Sequence, residues 1–315
     1  MNEDENCLRV APPRRSWRTI IKWAFGAVAI SLLGITLARE WSEFVLALSD
    51  VHLASMVIAL ITAVAAVFCS AFSWREAFAG LGMPLGLGVS LRVFFLSQIG
   101  KYIPGSVWPV LSQMEMAKDR GYSRVRAGTA AVLSMLVSVV TSGGVACLVM
   151  LTRVTGAISD YWFVLLVVPA GIFVLTPMGL RALIHAAGKV LHREFDVSTI
   201  DGRHILYSCL WALMMWGLYG AHTWVLLGDL SATGAVSLSA AVGAFAFAWV
   251  IGFLVVLAPA GVGVREAVMV VALGGAVTSE AAFAFAIISR VILTVVDGMV
   301  AFLGLIVAKR SEDAQ

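Results

Sequence analysis

The chain has 315 residues, of which 60% are hydrophobic and only 13% are charged. Soluble domains carry about a quarter charged residues, so this composition excludes an ordinary soluble protein. The mean hydropathy of +0.94 and the repeated apolar runs predict an all-α, polytopic membrane protein, while a net charge of +3 says little by itself.

The amino-terminal part combines a polar tail with a first apolar run. Residues 1–16 are predicted to form a disordered cytoplasmic tail. Basic residues then lead into an apolar run over about Thr19–Ala38, a pattern that also resembles a signal peptide. Because the run is long and further spans follow, we expect an uncleaved first span. The amphipathic connector Arg39–Val51 is predicted to lie in the membrane interface.

Five further apolar runs are long enough to be read as full spans, which gives about six in all. They cover approximately His52–Trp74, Ala127–Leu151, Tyr161–Thr176, His204–Leu227 and Ala281–Ala308. The segment Gly179–Arg203 is more polar and is predicted to be an aqueous or surface helix.

A first interrupted segment runs from Leu87 to about Ala117 and is broken by Pro104 and Gly105. Proline removes a backbone donor and clashes with the preceding turn, and glycine weakens a helix further. Each arm is about 20 Å long as a helix, too short to cross a hydrocarbon core of about 30 Å. The segment is therefore predicted to be a re-entrant hairpin.

A second break follows an apolar run that begins near Val236. It contains Pro259, Gly261 and Gly263, and a short apolar arm, Ala267–Gly275, comes after it. Broken backbone survives inside a membrane only where it is buried in protein or lines a wet cavity. We therefore expect the two breaks to define one cavity.

The distribution of basic residues predicts the orientation. If each hairpin returns to the side it entered from, 16 of the 22 Lys and Arg residues are cytoplasmic and only Arg39 and Arg153 lie outside. Such an excess is typical of cytoplasmic loops. The sequence thus predicts a multi-pass plasma-membrane protein with both termini, including the tail 311–315, in the cytoplasm.

The two halves of the chain repeat the order span, span, hairpin, span. These pseudo-repeats, about 17–152 and 160–310, form a single transmembrane domain, 17–310, and start on opposite sides of the membrane. Pro104 and Pro259 are 155 residues apart, close to half the chain length. Two re-entrant broken-helix hairpins in an inverted repeat are typical of transporters, with the binding site between the breaks.

Ionisable side chains inside a membrane are costly, so each is a candidate functional residue. Lys101 adjoins the first break and either snorkels to the interface or faces a cavity. Arg265 either pairs locally with Glu266 at a helix start or points into a cavity to hold an anion. Arg290 and Asp297 lie seven residues apart on one face of the last span. Each is expected to pair with another element, and Asp297 could meet Lys101 or Arg265.

The candidate site combines these charges with polar residues around the first break. The predicted substrate-binding residues are Gln98, Lys101, Tyr102, Ser106, Arg265, Glu266, Arg290 and Asp297. No catalytic residue, metal ligand or cofactor is predicted, because the chain has no histidine pair with zinc spacing and no glycine-rich phosphate loop before a helix.

Two motifs resemble the lysylphosphatidylglycerol synthase transmembrane (flippase-like) family. The first is RVFFLSQIGKYIPG at Arg92–Gly105, followed by AKDRG at Ala117–Gly121. The second, APAGVGVRE at Ala258–Glu266, is similar to that family's late Pro–Gly–Gly–Arg–Glu signature. The resemblance covers nearly the whole chain after about residue 15.

This resemblance implies a flippase-like transporter that moves an anionic phospholipid or a polyprenyl-phosphate-linked sugar between leaflets. Bifunctional members continue into a cytosolic aminoacyl-transferase domain, whereas this sequence stops at Gln315, so a standalone member is expected. The implied partners are the lipid or lipid-linked glycan substrate and envelope biosynthesis enzymes, with no nucleic acid. The oligomeric state is left open.

Two alternatives to transport remain open at the level of sequence. One is an intramembrane enzyme acting on a lipid-linked sugar, with Glu266 or Asp297 as acid or base. The other is a non-transporting partner that recruits an envelope synthase through the surface around residues 179–203. The absence of a recognised catalytic motif favours a protein that is not an enzyme.

Overall fold

The computed structural model describes residues 45, 49–102, 107–153, 164–192, 200–231, 236–255, 263–274 and 276–312. Within these ranges the protein consists of ten α-helices and contains no β-strand, which confirms the all-α class. In chain order they are α1 (Leu53–Gly80), α2 (Leu87–Gln98), α3 (Trp108–Lys118), α4 (Arg124–Arg153), α5 (Val164–Val174), α6 (Pro177–Leu191), α7 (Gly202–Leu230), α8 (Leu238–Leu254), α9 (Val264–Leu273) and α10 (Ser279–Glu312).

Four helices of the described part are long and apolar enough to cross a membrane: α1, α4, α7 and α10. They coincide with the second, third, fifth and last predicted spans, so the protein is confirmed as a multi-pass membrane protein. The predicted first span, Thr19–Ala38, lies outside the described residues, as does most of the connector Arg39–Val51.

The fourth predicted span, Tyr161–Thr176, differs from a simple crossing. Helix α5 has 11 residues and is followed by α6 at an angle of 79°. The Thr176 hydroxyl caps α6 by accepting a hydrogen bond from the Gly179 N–H at 3.1 Å, and Pro177 occupies the first turn, where it costs no hydrogen bond. The described ranges therefore hold four crossings, or five if the bent pair counts as one.

The first interrupted segment forms two short helices separated by a break. Helix α2 has 12 residues and continues as a 3₁₀ turn over Ile99–Tyr102, while α3 has 11. A Cβ placed on Gly100 would lie 2.9 Å from the backbone nitrogen of Pro109, so the two arms approach closely where only glycine fits. The predicted tip, Pro104 and Gly105, lies outside the described residues.

The second break separates α8, which has 17 residues, from α9, which has ten. Gly263 precedes α9 with a φ of +81°, a left-handed conformation that favours glycine. Its N–H donates to the Glu266 carboxylate at 2.7 Å, which caps the helix. Pro259 and Gly261 lie outside the described residues.

Helices α1 and α7 pack antiparallel along their whole length and form the centre of the described fold. Near the amino end of α7, the Ser73 hydroxyl donates to the Ser208 carbonyl at 2.8 Å. Each end carries a contact between a histidine and a carboxylate, which we call the end contacts: His52–Asp229 at 3.1 Å and His204–Glu76 at 2.6 Å. Around this pair, α4 packs against α8 and α10 packs against α2.

Candidate functional site

A cavity of about 260 Å³ lies between the two halves of the chain. Its walls come from α1, α2, α3 and α4 on one side and from α7, α8, α9 and α10 on the other. Gln98 and Lys101, beside the first break, line it together with Arg265, beside the second. Residues that adjoin both breaks therefore face one common space.

The cavity lies near the middle of the last crossing. The apolar stretch Ala281–Ile306 of α10 has 26 residues, which is about 39 Å of helix at 1.5 Å per residue. Arg290 and Asp297 both line the cavity and fall about 5 Å from the midpoint of that stretch. Charges at this depth need partners or water, because isolated ions are expensive in hydrocarbon.

Lys101 and Asp297 form an ion pair across the cavity wall. The ammonium donates to the Asp297 carboxylate at 2.7 Å, with Lys101 in the 3₁₀ turn and Asp297 on α10. One of the two pairings expected for Asp297 is thus present. The contact joins the first interrupted segment to the last span, 196 residues away in sequence.

Arg290 and Glu266 form a second ion pair, at 3.2 Å, between α10 and α9. Glu266 uses its other carboxylate oxygen to accept the hydrogen bond from Gly263, so both of its oxygens are engaged. The expectation that Arg290 pairs with another element is confirmed. The local pairing of Glu266 with Arg265 is not found as an ion pair among the described residues, because Glu266 is directed to Arg290 instead.

Arg265 is positioned differently from the other cations. Its guanidinium lies over the ring of Phe245, 4.4 Å from the centroid, and that ring also stacks on Tyr219, at a centroid distance of 4.7 Å and an angle of 19°. Among the described residues Arg265 has neither an ion pair nor a hydrogen bond. Stacking orients a guanidinium while leaving the in-plane N–H donors available, so Arg265 presents a fork suited to a phosphate or carboxylate.

A buried polar network supports the wall beside Lys101. The Trp74 indole donates to the Gln113 amide oxygen at 3.0 Å, and the Gln113 amide nitrogen donates to the Ser97 hydroxyl at 2.9 Å. Because every member has a partner, the network orders α1, α2 and α3 relative to one another. The sequence does not reveal these pairings, because Trp74, Gln113 and Ser97 lie on three different helices.

A second, smaller void of about 20 Å³ adjoins the cavity and has room for about one water molecule. Arg265 and Arg290 line both spaces, whereas Glu266 and Ser289 line only the smaller one. Ser289 in turn lies 2.9 Å from Nε2 of the buried His222, whose Nδ1 is 3.0 Å from the Ala59 carbonyl oxygen. Both ring nitrogens of this histidine are thus engaged in the core.

Of the eight predicted substrate-binding residues, five line the cavity: Gln98, Lys101, Arg265, Arg290 and Asp297. Glu266 does not line the cavity but pairs with Arg290, which does. The side chain of Tyr102 and the whole of Ser106 lie outside the described residues. Their role in binding stays a prediction. Sequence reasoning missed Tyr219 and Trp249, since an aromatic residue in an apolar helix reads as core. No group of metal-binding side chains occurs within the described ranges.

The chain is similar to a known protein family. The family model described as "Lysylphosphatidylglycerol synthase TM region" matches residues 21–301, a range that contains every described residue that lines the cavity. No curated protein matches the chain.

Proposed function

Because this chain belongs to the family of the lysylphosphatidylglycerol synthase transmembrane region, whose function is related to membrane lipids, we propose that it is a lipid flippase-like transporter. In this proposal it moves an anionic phospholipid or a polyprenyl-phosphate-linked sugar between leaflets. The headgroup occupies the cavity between the halves while the acyl or prenyl tails remain in the bilayer.

The observation that carries the proposal is Arg265. It is a cation that lines a cavity near mid-membrane, and within the described residues it forms no ion pair or hydrogen bond with a carboxylate. Holding such a charge in a membrane is costly unless an anion completes it. A phosphate can accept two parallel hydrogen bonds from the guanidinium. A bound lipid phosphate would therefore offset the cost of placing this charge in the membrane.

The packing supports the inverted repeat that transport by alternating access would use. In this repeat, α1, α2, α3 and α4 of the first half correspond to α7, α8, α9 and α10 of the second. The contact between α2 and α10 then corresponds to the contact between α8 and α4. In the same way, the contact between α3 and α4 corresponds to the contact between α9 and α10. The end contacts repeat in the same way, because His52 and His204 are 152 residues apart and Glu76 and Asp229 are 153 apart. A site formed between two such halves can face either side as they rock.

We place the protein in the plasma membrane with both termini in the cytoplasm, in keeping with the excess of basic residues on that side. Lipid movement by this chain is proposed to involve no chemical change. An intramembrane enzyme would convert a lipid-linked sugar in detergent, so product formation by the purified protein in detergent would contradict this part of the proposal.

The test is leaflet exchange in liposomes that contain the purified full chain. Acyl-labelled fluorescent phosphatidylglycerol in the inner leaflet is protected from dithionite until it crosses, so the rate of quenching measures transport. Arg265→Gln is expected to slow exchange by about tenfold or more, since a charge-assisted hydrogen bond contributes about 1.5–3 kcal/mol. Arg181→Ala, which removes an exposed arginine of α6, is the matched control and should leave the rate unchanged.

Two results would count against transport. The first is that wild-type protein accelerates exchange of no anionic lipid over protein-free liposomes. The second is that Arg265→Gln and Arg181→Ala have the same rate as wild type, which would show that exchange occurs without the cavity.

A further inference from the structure

The charges around the cavity are unequal and already partly neutralised. Three cations line it, Lys101, Arg265 and Arg290, against one carboxylate, Asp297. Asp297 is held by Lys101, and the nearby Glu266 is held by Arg290 and by the amino end of α9. Each of these carboxylates is therefore in direct contact with another cation, while Arg265 forms no ion pair among the described residues.

This arrangement opposes a cationic headgroup. An ammonium entering the cavity meets no uncommitted carboxylate in the described part of the chain, and it would have to displace Lys101 from Asp297 or Arg290 from Glu266. Separating a pair that is largely excluded from water leaves an uncompensated charge, which is strongly unfavourable. Arg265 and Arg290 also line the same two spaces, so an anion between them relieves repulsion whereas a cation adds to it.

The neutral polar side chains of the wall indicate the rest of the headgroup. Five of them line the cavity and have no hydrogen-bond partner among the described residues: Ser70, Gln98, Ser134, Tyr219 and Trp249. Hydroxyl, amide and indole groups exchange hydrogen bonds with ligand hydroxyls without selecting a charge. The aromatic rings of Tyr219 and Trp249 add apolar faces suited to the carbon skeleton of a polyol or sugar.

We propose that the cavity selects a lipid whose phosphate carries a neutral, hydroxylated headgroup, such as glycerol or a sugar, and rejects lipids with a cationic headgroup. The inference rests on the proposed function, since it names the substrate class of that site. Arg265 binds the phosphate, the neutral side chains bind the hydroxyl groups, and the two occupied ion pairs exclude an ammonium.

The test separates binding from transport. Lipid binding to the purified full chain in detergent is measured by native mass spectrometry for four probes: phosphatidylglycerol, phosphatidic acid, phosphatidylcholine and lysylphosphatidylglycerol. Phosphatidylglycerol is expected to bind at least about tenfold more tightly than the cationic and zwitterionic lipids. A tenfold difference in affinity corresponds to about the free energy of one charge-assisted hydrogen bond. Phosphatidic acid, which has the phosphate without the glycerol head, should fall between them.

Variants assign the selectivity to the cavity. Arg265→Gln should remove most of the preference for phosphatidylglycerol, and Arg265→Glu should reverse it in favour of lysylphosphatidylglycerol. Tyr219→Phe should reduce the difference in affinity between phosphatidylglycerol and phosphatidic acid. It should not change the preference for phosphatidylglycerol over lysylphosphatidylglycerol. If Arg265→Glu does not fold, Arg265→Gln alone decides the point, with Arg181→Ala as the control.

Binding of lysylphosphatidylglycerol as tight as that of phosphatidylglycerol would overturn the charge argument, and equal binding of phosphatidic acid would overturn the hydroxyl argument. Either result leaves transport itself standing if exchange is observed in liposomes. If binding is selective and depends on Arg265 but no leaflet exchange is observed, the result would support the substrate class and contradict the transport proposal.

Discussion

Replacing Asp297 by asparagine removes the carboxylate that the Lys101 ammonium contacts in the middle of the membrane. The two atoms are 2.7 Å apart, and the side chains are 10% exposed for Asp297 and 35% for Lys101. Removing one partner of a buried ion pair costs about 3–5 kcal/mol. Because Lys101 reaches the cavity and keeps some access to water, we expect the lower end, about 3 kcal/mol.

The assay is thermal unfolding of the purified protein in detergent. At about 2–4 °C for each kcal/mol in a domain of 150–250 residues, Asp297→Asn should lower Tm by about 6–12 °C. The double variant Lys101→Met with Asp297→Asn removes both charges and should recover much of the lost Tm. The reason is that the destabilisation comes from removing one charge of the pair while the other remains.

The exposed ion pair between Glu115 and Arg124 is the matched control. It also joins two helices, at 2.6 Å, but its side chains are 60% and 47% exposed. Surface pairs contribute about 0–1 kcal/mol, so Arg124→Ala should shift Tm little. An unchanged Tm for Asp297→Asn, or a double variant whose loss equals the sum of the single losses, would refute the reasoning.

Three further predictions concern the scaffold of the cavity. Gly100→Ala should destabilise the first hairpin by about 1–3 kcal/mol, because the added carbon meets the facing backbone. Gly143→Ala, in open space within α4, is the control and should be neutral or stabilising. Equal Tm values for the two variants would contradict the close approach at Gly100. With the native cysteines replaced by alanine, Ser73→Cys and Ser208→Cys should crosslink on oxidation and shift on a gel, since the hydroxyl oxygens are 3.1 Å apart; failure to crosslink would dispute the antiparallel pairing. Gln113→Leu should cost about 1–3 kcal/mol in denaturant unfolding by stranding a buried indole N–H, and no loss would mean that the network is not stabilising.

The sequence predicted the parts of the fold that depend on hydrophobic length. Runs of about 20 apolar residues identify α1, α4, α7 and α10, because each must bury its backbone polar groups within its own helix. The sequence also separated α5 from α6, because the apolar run ends at Thr176 and the residues after Gly179 are more polar. It could not give the angle of 79° between the two helices, which depends on the cap formed by Thr176 and Gly179 and on packing.

The candidate site was predictable in its residues but not in its pairings. Charges inside apolar segments stand out in any sequence, and the spacing of Arg290 and Asp297 places them on one face. Which carboxylate meets which cation depends on how α9, α10 and the first hairpin pack, and that information is not local. The pairing of Glu266 with Arg290, which frees Arg265 for the cavity, could therefore emerge only from the structure.

The end contacts of α1 and α7 have a consequence for how the two helices can move. The helices are about 40 Å long, so His52 with Asp229 and His204 with Glu76 sit at opposite faces of the bilayer. The central pair of helices is therefore held by a polar side-chain contact near each surface of the membrane. Sliding one helix along the other would have to break both contacts.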